Sequence, residues 1–255
     1  MNYKDLIPKD APIWVKDRVI LMAISGSHSY GTNVASSDMD YKGVCIPPDS
    51  YYLGLDTFSQ YNTTGGKNYK NTKDDVDIVI NHINKFVMDA MSGVPNNIEL
   101  LFLDPKHILY VNEYGNELIS HRHDFMSKAI KHKMSGYAYA QRKRMLNNGT
   151  GAGRQELIDE YGYDTKFAMH GIRLLTSCVE ILETGSFNTY RPNRELLLDI
   201  RNGKFSLMEV VELMSELDSK IERLYKTTDL PHTPDYNKIN KWLIELNKNA
   251  MGTIW

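Results

Sequence analysis

The spacing of hydrophobic residues divides the chain into two halves with different predicted structure. In the first half the apolar runs are short and end at glycine or proline, which is typical of buried strands. Strands are predicted over residues 19–25, 41–46 and 76–80, and short helices over residues 10–18 and 81–91. Residues 56–74 are polar and rich in Asn, Thr and Gly, which predicts a hairpin or a mobile loop.

In the second half apolar residues recur every three to four positions, as they do on the buried face of a helix. Helices are predicted over residues 127–147, 165–183, 206–227 and 235–249. The stretch NNGTGAG, residues 147–153, has the composition of a linker. We therefore predict an α+β chain, with a mixed-sheet domain over residues 1–120 and an all-helical domain over residues 121–255.

Composition excludes several classes of protein. Hydrophobic residues make up 42% and charged residues 24% of the 255 residues, which is ordinary for a globular chain and not for a disordered or collagenous one. The two cysteines, Cys45 and Cys178, form no CxxC pair, so reduced thiols in a reducing compartment are expected. No signal peptide and no apolar run of about 20 residues is found, which predicts a cytoplasmic protein without membrane association.

One motif combines residues that suit metal and phosphate binding. The first predicted strand ends at Gly26-Ser27, and ten residues later Asp38-Met39-Asp40 opens the next strand. Residues two apart in a strand face the same side, so Asp38 and Asp40 project together. Two such carboxylates suit Mg²⁺ shared with the phosphates of a nucleotide. Gly26 lets a phosphate approach the backbone, and Ser27 can donate a hydrogen bond to it.

A third carboxylate would complete a two-metal site, and the strand over residues 76–80 offers it. Asp75 and Asp77 share the face opposite to Val76, Ile78 and Ile80. We select Asp77 because it lies deeper in the strand. Asp75 remains the alternative.

These residues are similar to the signature of the DNA-polymerase-beta-like nucleotidyltransferase superfamily. More closely, GSHSYGTNVASSDMDYKGVCIPP (residues 26–48) resembles a family of predicted bacterial and phage nucleotidyltransferases that is associated with RNA ligases and RNA repair. The likeness continues in patches over residues 77–86, 93–102, 163–175 and 191–204. Lys42 and Phe167 depart from the pattern, because arginine and histidine are more usual there.

The resemblance implies a palm-like mixed sheet with a helical domain that closes over a nucleoside triphosphate, ATP in the first instance. It implies two Mg²⁺ ions, with Mn²⁺ as the alternative, on Asp38, Asp40 and Asp77. The nucleotide-binding residues it implies are Gly26, Ser27, Tyr30, Lys42, Lys166, His170 and Arg173. At about 100° per residue, the last three fall on one polar stripe of the 165–183 helix, opposite its apolar stripe.

Basic residues are concentrated in one stretch of the second half. Residues 126–155 contain seven Lys or Arg and no acidic residue, although the formal net charge of the chain is −2. Lys128, Lys131, Tyr139 and Arg142 cluster on one side of the predicted helix. They form either an ordinary exposed surface or a site that contacts the phosphates of RNA or DNA.

The predicted activity is metal-dependent transfer of a nucleoside monophosphate from a triphosphate to an acceptor hydroxyl, with release of pyrophosphate. RNA is the expected acceptor, either tRNA or a repair substrate. A protein side chain and a small molecule are the alternative acceptors. A nucleotide-sensing or interaction protein without catalysis is the alternative from a different class. The oligomeric state is not predicted by the sequence.

Overall fold

A mixed sheet carries the first half of the chain. The computed structural model describes residues 2–63, 76–146 and 154–252, and within these ranges the sheet has five strands in the order β3-β4-β2-β1-β5. The strands are β1 Val19–Ser25, β2 Met39–Cys45, β3 Gln60–Asn62, β4 Val76–His82 and β5 Ile108–Val111. β2 and β4 pair in parallel, and the other neighbouring strands pair antiparallel.

Helices cover the sheet and form the rest of the described chain. They are α1 Val15–Arg18, α2 Gly26–Tyr30, α3 Ser50–Leu53, α4 Ile83–Met91, α5 Pro95–Leu101, α6 Glu113–Ser120, α7 Ile130–Leu146, α8 Gln155–Tyr161, α9 Thr165–Thr184, α10 Arg194–Arg201, α11 Leu207–Thr227 and α12 Tyr236–Met251. Local sequence sets the ends of the longer ones. Asp164 caps α9 by accepting hydrogen bonds from the first-turn amides, and Gly185 ends it in the left-handed conformation.

The predicted α+β class is confirmed, and so is the helical second half. The helix expected over residues 10–18 is shorter, because the proline-bounded residues before Val15 form turns and α1 begins only there. The short elements β5, α6, α8 and α10 were not predicted from the periodicity. Asp75, most of the loop expected over residues 56–74, and the linker expected over residues 147–153 lie outside the described residues.

The two faces of the sheet have different partners. On one face Met22, Tyr41 and Ile78 pack with Tyr3 and Ile7 from the N-terminal segment. The other face packs against the helices, since Ala23 and Val44 belong to the same core cluster as Ile172 of α9. Side chains alternate along a strand. The residues next to Tyr41 in β2, Asp40 and Lys42, therefore lie on the helical side.

The hydrophobic core is shared by the two predicted domains. Ile20 and Leu21 of β1 lie in one cluster with Ile172 and Leu182 of α9. The boundary near residue 120 stays a prediction, but the apolar contacts run across it. None of the helices in the described part of the chain is long and apolar enough to cross a bilayer.

The packing of α6 on β1 gives a test of this core. A Cβ at Gly115 would lie 2.2 Å from the carbonyl oxygen of Ile20, whereas a Cβ at Gly136, in the middle of α7, meets nothing within 4 Å. We expect Gly115→Ala to destabilise the protein, because the helix would have to move off the strand. Gly136→Ala should stabilise it by up to about 1 kcal/mol through helix propensity. Urea unfolding of both variants measures this, and equal effects of the two substitutions would contradict the packing.

Candidate active site

Parallel pairing of β2 with β4 brings two of the predicted carboxylates together. Asp40 and Asp77 are register partners in this pair, so their side chains project from the same face of the sheet. Burial raises the pKa of Asp40, and the negative charges of Asp77 and Asp38 raise it further, against the opposing effect of Lys42. The structure thus places all three carboxylates within electrostatic reach of one another.

The turn after β1 closes tightly on Asp40. Ser25 is the register partner of Asp40, and α2 begins at the next residue, Gly26. Gly26 has a φ of +64°, and a Cβ there would lie 1.9 Å from Oδ2 of Asp40. A residue with a side chain would therefore displace the carboxylate. The Ser25 hydroxyl is buried at the same place and has no hydrogen-bond partner among the described residues.

The helical side of the site is electropositive. Lys166 follows the N-cap of α9, and Arg201 ends α10. Burial lowers the pKa of Lys166, and the nearby cations Arg154 and Arg201 lower it further, while Asp38 and Asp40 oppose the shift. Cations that repel one another in this way would be stabilised by a bound anion.

The other two residues of the predicted stripe on α9 differ from Lys166. Burial lowers the pKa of His170 well below 6.5, and neighbouring cations lower it further, so the imidazole is uncharged at neutral pH. The Arg173 guanidinium donates to the carboxylate of Glu99 in a buried ion pair. Of the three residues, Lys166 is therefore the one cation that no ion pair within the described residues holds.

Glu99 is a buried centre that joins the two halves of the chain. Its carboxylate accepts the Arg173 hydrogen bond at one oxygen and a hydrogen bond from the Tyr30 hydroxyl, 2.6 Å away, at the other. The Arg173 guanidinium also lies 3.9 Å from the centre of the Tyr30 ring. Tyr30 is only 4% exposed. It supports the floor of the site and has little surface for a nucleotide.

Lys42 lies on the same face of β2 as Asp40. Burial lowers its pKa, while the negative charges of Glu99 and Asp40 oppose this shift. The ammonium group is therefore within electrostatic reach of both Glu99 and Asp40.

These side chains line one cleft of about 570 Å³ between the sheet and the helices. This volume is within the range usual for small-molecule sites. Every predicted catalytic and nucleotide-binding residue lines it: Gly26, Ser27, Tyr30, Asp38, Asp40, Lys42, Asp77, Lys166, His170 and Arg173. The structure thus brings together residues from α2, from β2 and the residue before it, from β4 and from α9.

A divalent metal fits the chemistry of the carboxylates but would need further ligands. Within the described ranges, no group of three His, Cys, Asp or Glu is close enough to hold an ion by itself. Mg²⁺ is commonly held by one or two carboxylates together with substrate phosphates. Asp38, Asp40 and Asp77, which lie within electrostatic reach of one another in the cleft, are the residues that would hold such a shared ion.

The predicted nucleic-acid contacts lie on the side of α7 that faces α11. Lys131 forms a 2.7 Å ion pair with Glu222, and its ammonium group lies 4.5 Å from the centre of the Tyr225 ring, with Lys128 at 6.0 Å from the same ring. Tyr139 and Arg142 line a small groove together with Asp218 of α11. The structure therefore keeps these residues away from the cleft and partly compensates their charge.

Three functional candidates were missed by the sequence pattern. Arg201 and Ser25 line the cleft, and Glu99 lies directly behind it. Glu99 had a detectable signal, since it is one carboxylate in the apolar run NIELLF. Arg201 lies in the 191–204 stretch that resembles the family. Ser25 gave no signal, because its importance depends on its unpaired hydroxyl in the folded chain.

Most of the chain matches a known protein family. The sequence profile of the RlaP family, described as the RNA repair pathway DNA polymerase beta family, matches residues 7–245. An uncharacterised 38.9 kDa protein from the nrdC–mobD intergenic region of Enterobacteria phage T4 is 28% identical over 93 residues. That match spans 36% of this chain and 28% of the phage protein.

A solved structure of a nucleotidyltransferase-like protein from Exiguobacterium sibiricum 255-15 also matches. The identity is 12%, and the match covers 93% of this chain and 76% of the other. The TM-score is 0.29, so the two chains differ too much in detail for this likeness to bear on function.

The carboxylate cluster predicts a pH-dependent stability effect. The pKa of Asp40 is raised in the folded protein, so the fold is more stable when this carboxyl is protonated than when it is ionised. This stability is lost as the pH rises through the folded-state pKa. Asp40→Asn should therefore increase the free energy of unfolding at neutral pH, and the gain should shrink as the pH falls towards 3.8. Denaturant unfolding across this pH range measures it. Asp56→Asn, at an exposed position outside the cleft, is the control, and an equal gain there would contradict the cluster.

The buried pair behind the cleft predicts a large stability loss. Glu99→Gln leaves the Arg173 guanidinium buried without its counter-charge, which costs about 3–5 kcal/mol. Glu183 and Lys220 form an exposed ion pair, so Glu183→Gln should cost less than about 1 kcal/mol. The free energies of unfolding of the two variants are compared by denaturant unfolding at neutral pH. Similar small losses for both variants would contradict the role of Glu99.

Proposed function

Because the chain belongs to the RNA repair pathway DNA polymerase beta family, we propose that it transfers a nucleoside monophosphate from a nucleoside triphosphate to an acceptor hydroxyl. The family places the chain among the polymerase-beta-type nucleotidyltransferases. ATP is the proposed donor and pyrophosphate the leaving group. RNA is the proposed acceptor, in keeping with the pathway in the description of the family.

One observation carries the proposal: the cleft has carboxylates on its sheet wall and cations on its helical wall. Asp38, Asp40 and Asp77 line one side, and Lys166 and Arg201 line the other. A triphosphate with a divalent cation carries both kinds of charge and would compensate both walls. A simple phosphate-binding protein needs the cations, but it gains nothing from the carboxylates.

In the proposed reaction, the residues of the cleft have different roles that follow from their charge and position. Lys166 and Arg201 bind phosphate oxygens and stabilise the charge that develops on the leaving pyrophosphate. Ser27 donates to a phosphate at the turn where the absence of a side chain at Gly26 lets the Asp40 carboxylate keep its place. Mg²⁺ held by Asp38, Asp40 and Asp77 would neutralise the phosphates and acidify the acceptor hydroxyl.

Asp77 orients the acceptor. Its carboxylate accepts a hydrogen bond from the acceptor hydroxyl and takes up the hydroxyl proton as the oxygen attacks the α-phosphorus. The new bond joins the acceptor oxygen to the α-phosphorus, and the bond from the α-phosphorus to the bridging oxygen breaks. Pyrophosphate leaves with the electron pair of that bond.

The activity test uses α-labelled nucleoside triphosphates, Mg²⁺ and separate fractions of RNA, DNA and protein. We expect label in RNA, together with release of pyrophosphate. Asp38→Asn and Asp40→Asn should each lower the rate at least about 10³-fold, since the metal site supplies several kcal/mol of transition-state stabilisation. Asp56→Asn, outside the cleft, should retain the activity of the unchanged protein.

The same experiment separates the alternative acceptors. Label in the protein fraction would replace RNA by a protein side chain. Triphosphate binding without pyrophosphate release in any fraction would indicate a sensor and contradict the proposed transfer. Full activity of both aspartate variants would also contradict it.

A further inference from the structure

The cleft has a third wall that differs from the two charged ones. It is formed by the N-terminal end of α5 and one side of α7, and its cleft-lining residues carry no charge. They are Val94, Pro95, Asn96, Tyr137 and Gln141. A nucleotide has one part that is uncharged, flat and able to form hydrogen bonds at its edge, which is the base.

Tyr137 and Gln141 are adjacent on this wall. They lie four residues apart on α7, so their side chains are neighbours on one side of the helix. Tyr137 is 49% exposed although it lines the cleft, so its ring is accessible for stacking. Gln141 lies beside α9, since a Cβ at Gly171 would be 3.7 Å from the Gln141 Cβ. This contact places Gln141 one residue along α9 from His170, which also lines the cleft.

The two amide side chains are available for a ligand. Neither Asn96 nor Gln141 has a side-chain hydrogen bond to the described part of the protein. Asn97, the neighbour of Asn96, is buried and donates a hydrogen bond to the carbonyl oxygen of Phe86, so its role is structural. The contrast between these two asparagines separates a structural amide from one that is open to the cleft.

We propose that Tyr137, Gln141 and Asn96 form the nucleobase subsite of the cleft, and that this subsite selects adenine. The inference rests on the proposed function, because it requires that a nucleoside triphosphate occupies the cleft. The Tyr137 ring stacks on the face of the base, and the two amides hydrogen-bond its edge. Lys166 and the carboxylates are left for the phosphates and the metal.

The selection of adenine follows from the chemistry of the wall. An amide presents a donor and an acceptor together, which matches the amino group and ring nitrogen of adenine. Guanine is matched best by Arg or Lys, and cytosine by a carboxylate. The cleft residues of α5 and α7 include no Arg or Lys and no carboxylate. Arg173, the arginine of the adjoining α9, is held by Glu99.

The test measures equilibrium binding of the α,β-methylene analogues of ATP, GTP, CTP and UTP in the presence of Mg²⁺. These analogues cannot be transferred, because a P–C bond replaces the bond that must break. We expect the unchanged protein to bind the adenine analogue at least about tenfold more tightly than the others, which is the discrimination of one good amide–base contact. Gln141→Ala and Asn96→Ala should reduce that preference while leaving the affinity for the other three analogues unchanged.

Tyr137→Ala should act differently from the amide variants. Stacking depends little on which base is present, so this variant should lower the affinity for all four analogues by a similar factor of about ten. Gln155→Ala on α8 and Asn116→Ala on α6 are matched controls, since both amides are exposed outside the cleft. They should bind all four analogues as the unchanged protein does.

The possible results separate this inference from the proposed function. Equal binding of the four analogues by the unchanged protein, or a base preference that survives in both amide variants, overturns the nucleobase subsite and leaves the proposed function standing. If none of the four analogues binds, both the nucleobase subsite and the proposed function are overturned. Loss of the adenine preference in Gln141→Ala and Asn96→Ala, with the controls unaffected, supports it.

Discussion

The parallel pairing of β2 with β4 is the constraint on which the site depends. This register sets Asp40 beside Asp77 on one face of the sheet, where two carboxylates repel each other. A fold gains nothing from this arrangement by itself, because burial and like charge both raise the pKa of Asp40 and so disfavour its ionised form. The cost is compensated only by something positive, and the helical wall with Lys166 supplies part of it. The architecture therefore keeps a charge imbalance that a ligand can relieve.

The helical half is held against this sheet by a buried ionic centre and an apolar core together. Glu99 accepts hydrogen bonds from Tyr30, which follows β1, and from Arg173 on α9. One carboxylate thus connects the short helix α2, which begins at Gly26, to the helix that forms the opposite wall. Such a pair is not primarily a source of stability, since desolvation offsets much of its attraction. The pair instead fixes the position of α9 relative to α2, because Glu99 is hydrogen-bonded to a residue of each helix.

Charged and uncharged side chains occupy different parts of the cleft. The three aspartates lie on or just before strands of the sheet together with Lys42, whereas Lys166 and Arg201 lie on α9 and α10 and the uncharged side chains on α5 and α7. This separation lets one ligand satisfy all three walls at once.

Much of the fold and of the site follows from the sequence alone. Apolar periodicity predicted β1 and the long helices, since burial of one face leaves a repeat in the residue types, and the Gly-Ser and Asp-x-Asp spacing indicated the chemistry. Short elements such as β5 and α10 left too little pattern to predict. Only the tertiary structure decided which polar residues meet. It paired Arg173 with Glu99, 74 residues apart, made His170 neutral, turned Lys131 towards Glu222 and brought Arg201 into the cleft. The physical reason is that composition and periodicity encode which side of an element is buried, whereas the partner of a charge depends on contacts between elements distant in the chain.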